Sequence, residues 1–138
     1  MSIKEEGKRA SRETLLGGSE RPEVVPESTA YDPRVRIAIE FLQSNLARKI
    51  SLIDLAHVVN LSAAHVSRLF SIETGISPSE YLIRLRMGEA QHLLLTSLLS
   101  VKEIMAMTGY GNRGHFVTHF KRYFGLTPSE FRRRFTRS

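Results

Sequence analysis

The chain contains no cysteine, which excludes a disulfide framework and a cysteine-based zinc site. It has no uninterrupted apolar stretch of about 18 residues, the length that a membrane-spanning helix needs. The N-terminus, MSIKEEGKRASRET, lacks the apolar segment expected of a secretory signal. No P-loop, G-x-G-x-x-G or nucleophile elbow occurs. An enzyme is therefore not expected, and no catalytic residue or cofactor is assigned. What is present is 138 residues, 41% of them hydrophobic, enough for one ordinary domain with a core or two very small ones.

Positive charge is plentiful and unevenly placed. Residues 1–30 carry five Lys/Arg and six Glu, residues 31–138 carry fifteen Lys/Arg and eight Asp/Glu, and residues 112–138 hold seven basic residues and one acid. A concentrated positive field points to a polyanion. A basic, solvated tail gives the same count, and charge alone does not separate the two. Residues 1–30 lack helical or strand periodicity and contain Gly17-Gly18, Pro22, Pro26 and several Ser, the composition of a flexible segment or linker. Order is expected from Asp32-Pro33, an N-cap residue followed by proline at the first helical position. Val35, Ile39, Leu42 and Leu46 then recur at helical spacing.

The rest of the chain says one thing twice. GISPSEYL (75–82) returns as GLTPSEFR (125–132), inside a longer repeat that begins at Ser51 and again at Ser100. The offset is 49 up to Asn60 and Gly109, and 50 from Val66 and Phe116 onward, so one residue has been added in the GYGNRG stretch. Ser51 with Asp54, and Ser100 with Glu103, are spaced to open a helix. Leu55 and Val59, or Ile104 and Thr108, then face inward. Asn60 or Gly109 suits a left-handed turn. Ser62 is placed to cap the next helix in the first copy, and Gly111 or Asn112 in the second. Val66, Leu69 and Phe70 match Phe116, His119 and Phe120 as a buried face, and Gly75 and Gly125 end the helix.

Helix, tight turn and amphipathic helix make a helix-turn-helix unit, here at about 51–72 and 100–123. A helical hairpin that merely packs has the same periodicity. The duplication, the basic charge and the outward residues of the second helices tip the reading toward DNA. Ser77-Pro78-Ser79-Glu80 and Thr127-Pro128-Ser129-Glu130 read as capping boxes with proline at the first helical position. Tyr81 and Phe131 are expected to pack back on the unit before them. Between the copies, a helix from about 78 to 96 carries Tyr81, Leu85, Met87, Ala90, Leu93 and Leu94 on an apolar face. About 18 residues span roughly 27 Å, near the roughly 34 Å between successive major grooves on one face of B-DNA.

The second copy, ImaMtGYgnrgHFvthFKryFGlTPSEFR, with the LA, S…VSRLF, GISPSEYL and RLRM stretches of the first, resembles the DNA-binding domain of the AraC/XylS family of bacterial transcription regulators. The resemblance runs from about Val35 to Phe135. It implies an all-α domain over 31–138, with seven helices forming two helix-turn-helix subdomains, of the homeodomain-like type, joined by a long helix. It implies sequence-specific binding of double-stranded DNA, two recognition helices in adjacent major grooves, and regulation of transcription with RNA polymerase as a partner. The expected location is the cytoplasm, with the nucleoid when bound, and no membrane partner. Most members also carry an N-terminal sensing or dimerisation domain, for which 30 polar residues leave no room. The chain thus reads as a fragment or as one of the smaller members.

In a helix-turn-helix, the first residues of the second helix meet base edges. The outward face of the first copy presents Ala63, Ala64, Ser67, Arg68 and Ser71, and by resemblance Ala64, Ser67 and Arg68 fall at base-reading positions. Arg68 suits guanine O6 and N7, a contact worth about 1–3 kcal/mol of discrimination, and Ala64 offers a methyl contact to thymine. A solvated Arg68, or one paired with Glu73, is the alternative. The matching positions of the second copy are Arg113, Gly114, Val117 and Thr118. The family often has Arg where Thr118 stands, which leaves Arg113, one turn earlier, as the candidate for that contact. Gly114 costs helix stability by about 1 kcal/mol relative to Ala. It either admits close approach to DNA or serves nothing.

His115, Lys121, Arg122, Arg132, Arg133 and Arg134 are phosphate-contact candidates, together with helix N-termini. Arg36, Arg84 and Arg86 are weaker ones, because an arginine facing the interior more often packs or pairs. His115 and His119 share a helix face as in a zinc protease, but Phe116 stands where that motif needs Glu and no third ligand is evident, so no metal is expected. Two other readings compete. One is an architectural DNA binder with little sequence preference; the other is a protein–protein module built on the 78–96 helix.

Overall fold

The computed structural model describes residues 30–136, and every regular element among them is a helix. These are α1 Pro33–Ser44, α2 Leu52–Val59, α3 Ala63–Thr74, α4 Pro78–Thr96, α5 Val101–Met107, α6 Arg113–Phe124 and α7 Pro128–Phe135. Residues 1–29 of the expected flexible segment lie outside the described residues. No helix among the described residues is long and apolar enough to cross a membrane.

The helices begin where local chemistry satisfies their first N–H groups. At α2 the Ser51 hydroxyl accepts the Asp54 N–H at 3.1 Å and the Asp54 carboxylate accepts the Ser51 N–H at 2.8 Å. Ser100 with Glu103 and Thr127 with Glu130 close the same reciprocal pair at α5 and α7. In all three acids the bond from the cap's backbone N–H, then that to its hydroxyl, holds the carboxyl below its usual pKa. The Ser77 box is only half made. Its hydroxyl accepts the Glu80 N–H at 3.1 Å, but the Glu80 carboxylate turns away to Tyr123 and Arg122 of α6. The two copies of the repeated phrase are therefore not used alike, contrary to the sequence expectation.

Asn60 and Gly109 both adopt the left-handed turn, at φ 58° and 81°. Ser62 caps α3 through the His65 N–H, and Asn112 rather than Gly111 caps α6 through the His115 N–H at 2.9 Å. The added residue is thus absorbed in the loop ahead of α6. The first helix ends at Ser44, two residues short of the periodic Leu46. The Asn45 amide donates to the Phe41 carbonyl at 2.7 Å, and Leu46 follows half-buried in the turn.

Two cores share one helix. Val35, Ala38, Ile39 and Leu42 of α1, Leu55, Ala56 and Val59 of α2, and Val66 and Phe70 of α3 are buried, with Leu82 of α4. Met87, Ala90 and Leu94 of α4 instead join Ile104, Met105, Phe116, Phe120 and Phe131 in a second cluster. The two halves close in the same way. Phe70 meets Tyr81 edge-on at 5.2 Å, and Phe120 meets Phe131 edge-on at 5.4 Å. Each fully buried aromatic contributes about 1.5–3 kcal/mol. Met87, Ala90 and Leu94 of the apolar face of α4 are thus buried inside the domain, and Tyr81, Leu85 and Leu93 are half-buried.

Candidate nucleic-acid interface

With Val66 and Phe70, or Phe116 and Phe120, fixed in the cores, helical periodicity decides which residues face out. On α3, Ala64 and Arg68 are exposed and Ala63, Ser67 and Ser71 are half-buried. On α6, Arg113, Gly114, His115, Thr118, Lys121 and Arg122 are exposed and Val117 is half-buried. Val117 occupies the place of Ser67, and Thr118 that of Arg68. The first reading face is small and nearly neutral; the second is basic.

Arg68 and Arg113 make no hydrogen bond or ion pair among the described residues, so both guanidiniums keep all five donors for a ligand. Gly114 has a reason that the sequence did not show. A Cβ there would stand 3.1 Å from the Asn112 Oδ1 that caps the helix, so a side chain at 114 requires the cap to shift by a few tenths of an ångström.

The phosphate candidates divide. Lys121 and Arg133 are exposed and both act electrostatically on the Glu130 carboxylate. Arg134 is exposed beside Arg133 in an open groove of about 330 Å³ that Leu126 and Glu130 complete. Arg122 is exposed but already engaged, with Nη2 at 3.4 Å from both Glu80 oxygens and its guanidinium over the Tyr123 ring. Arg132 is placed differently from the rest. Its guanidinium is half-buried and donates to four carbonyls, those of Leu94 (3.2 Å), Leu99 (2.6 Å), Ser97 (3.1 Å) and Leu93 (3.4 Å). It closes the C-terminal end of α4, where the dipole is negative, although the Leu93 carbonyl also accepts the Ser97 N–H and hydroxyl.

Two of the weaker candidates also have partners within the domain. Arg84 lies 3.9 Å from Glu80 on its own helix. Arg86 donates to the Arg48 carbonyl at 2.7 Å and covers the Tyr110 ring at 5.8 Å. Burial lowers its pKa, partly offset by Tyr110. His119 is tied inward, its Nδ1 2.7 Å from the Tyr110 hydroxyl. Burial, then the charges of Arg122 and His115, lower its pKa, and the ring's tautomer sets which of the two groups donates. His115 stacks on it with centroids 6.5 Å apart and stays exposed.

A helix-turn-helix domain model matches residues 55–134. The C-terminal domain of AraT, a response regulator from Geobacillus stearothermophilus, is 33% identical and superposes with a TM-score of 0.74 over 78% of this chain and 89% of that one. A transcriptional regulator described as an AraC-type DNA-binding domain-containing protein, from Chromobacterium violaceum, is 30% identical, with a TM-score of 0.68 over 72% and 89%. The DNA-binding domain of AdpA, solved with a target DNA, is 28% identical, with a TM-score of 0.69 over 73% and 91%. The chain spans between 35% and 46% of the length of the first curated relatives it matches, which are regulators of transcription.

Proposed function

Because the chain belongs to the AraC-type helix-turn-helix family, we propose that it binds double-stranded DNA sequence-specifically and regulates transcription by laying α3 and α6 into adjacent major grooves. One observation carries this reading. The equivalent outward faces of α3 and α6 hold Arg68 and Arg113 uncommitted, whereas Arg84, Arg86, Arg122 and Arg132 are engaged within the domain. Arg68 and Arg113 read bases. Ala64, Ser67, Gly114, Val117 and Thr118 complete the two surfaces. His115, Lys121, Arg133 and Arg134 contact phosphates, and Arg122 does so only while keeping Glu80. RNA polymerase is the proposed protein partner and the cytoplasm the proposed location. A sensing or dimerisation domain, on this chain or beside it, is the proposed source of control.

Selection of sites from a random duplex pool tests the reading. Arg68→Ala and Arg113→Ala should each flatten preference at particular base pairs, by about 1–3 kcal/mol of discrimination. Unchanged preferences in both variants would remove base readout by these residues. A ratio near one between the best site and random duplex would favour the architectural reading. Lys121→Ala should weaken binding to every sequence alike and make the plot of log K against log salt shallower by about one. An unaltered slope takes Lys121 out of the phosphate set.

A further inference from the structure

Two polar contacts tie the helix-turn-helix units to each other. The first is built on Glu80, in the opening turn of α4. Its carboxylate leaves the Ser77 cap, accepts the Tyr123 hydroxyl and lies 3.4 Å from Arg122 Nη2. The start of α4 belongs to the first unit, because Tyr81 and Leu82 pack there. Tyr123 and Arg122 sit at the end of the second reading helix. The second contact is built on Arg86, six residues along α4. Its Nη2 holds the Arg48 carbonyl in the loop between α1 and α2. Its other face lies on the Tyr110 ring and within 2.7 Å of where a Cβ on Gly109 would stand. Tyr110 in turn holds His119 in the middle of α6. A path of directional contacts thus runs from the first unit through α4 to the second reading helix at two points.

The cores alone do not fix this relation sharply. Apolar burial is non-directional, and the two cores sit toward opposite ends of a single helix. A small roll of α6 over α4 that keeps Phe116 and Phe120 buried changes little apolar area, so the cores oppose it less sharply than a directional bond does. Hydrogen bonds weaken within a few tenths of an ångström and with angle, so the clasps add the missing stiffness. DNA is sensitive to such stiffness. Shifting a half-site by one base pair moves its groove by about 3.4 Å and rotates it by about 35°, well beyond what an intact clasp tolerates.

We propose that Glu80 with Tyr123 and Arg122, and Arg86 with the Arg48 carbonyl and Tyr110, are positioning residues that fix α6 relative to α3 and so select the spacing between the two halves of the DNA site. The proposal rests on the two-headed reading above, and the test separates the two. The intact chain and its Tyr123→Phe, Glu80→Gln and Arg86→Lys variants are titrated against duplexes carrying both selected halves, with the spacer changed one base pair at a time. The wild-type protein should lose about tenfold or more in affinity one base pair from its optimum, because simultaneous engagement fails. The variants should lose less than about threefold there, with base preferences inside each half unchanged. Folded variants that keep the wild-type spacing profile overturn the clasps. If Arg86→Lys does not fold, Tyr123→Phe decides the Glu80 clasp, and Tyr110→Phe, which removes the bond to His119, decides the other by the same spacing profile. A wild-type protein that selects one half only overturns the two-headed reading itself, a result distinct from variants that leave the profile untouched.

Discussion

Gly109→Ala is expected to cost about 3–5 kcal/mol of folding stability, combining left-handed strain with overpacking. The backbone there stands at φ 81°, which L side chains avoid, and a Cβ would be driven into the Leu46 carbonyl oxygen and to 2.7 Å from Arg86 Nη2. The arginine tip can shift; the carbonyl belongs to backbone packed in the first unit and cannot. Asn60 makes the comparison sharp, because it holds the same turn of the first copy at φ 58°. The conformation alone is thus compatible with a side chain, and the crowding is what requires glycine at 109. Gly125→Ala supplies the control. It has φ 79° but nothing within 4 Å of the added carbon, so it should cost only the conformational part, about 1–2 kcal/mol. A domain of this size loses about 4 °C or more in Tm per kcal/mol, which puts Gly109→Ala more than 10 °C below wild type. Denaturant titration of both variants checks it. Equal losses would show that the Leu46 contact gives way.

What the sequence discloses and what it hides follow from how far apart the partners lie. Caps, turns and helix faces depend on residues three or four apart. Ser51, Ser62, Ser100 and Thr127 are thus legible as caps, Asn60 and Gly109 as turns, and Phe70 and Phe120 as core. The outward positions of α3 and α6 follow from the same periodicity. Tyr81 and Phe131 are legible too, because each packs on the unit just before it. The destinations of long polar side chains have no such local sign. Tyr123 and Glu80 are 43 positions apart, and Arg86 and its carbonyl acceptor 38. A carbonyl acceptor leaves no mark on residue type. Glu80 and Glu130 sit in nearly identical phrases, yet one completes its capping box and the other gives it up to the second reading helix. Periodicity also overreached at Leu46, where α1 had already ended. The choice of Asn112 over Gly111 as a cap needed the structure, and so did the closeness of that cap to Gly114.

Arg132→Ala is the second large effect, and it separates a structural arginine from a DNA-contacting one within a single basic run. Leu82 and Arg132 close the two copies of the repeated phrase. Leu82 enters a core, while Arg132 gathers four carbonyls from the end of α4 and the loop to α5. A hydrogen bond from a charged donor contributes about 1.5–3 kcal/mol, but the four do not add. The site opens onto a groove of about 430 Å³ lined by Leu94, Leu95, Ser97, Leu98 and Thr136, so water can reach the carbonyls once the side chain is gone. The expected loss is therefore about 2–3 kcal/mol, near one strong charged bond plus the helix-dipole contribution. Arg132→Lys should recover little of it, because a compact ammonium lacks the planar fork that reaches carbonyls on several sides. DNA binding supplies the second readout. Below its unfolding transition, Arg132→Ala should keep the wild-type dependence of log K on log salt, whereas Lys121→Ala should be shallower by about one. A shallower slope with undiminished stability would return Arg132 to the phosphate set and leave the end of α4 to be held by water.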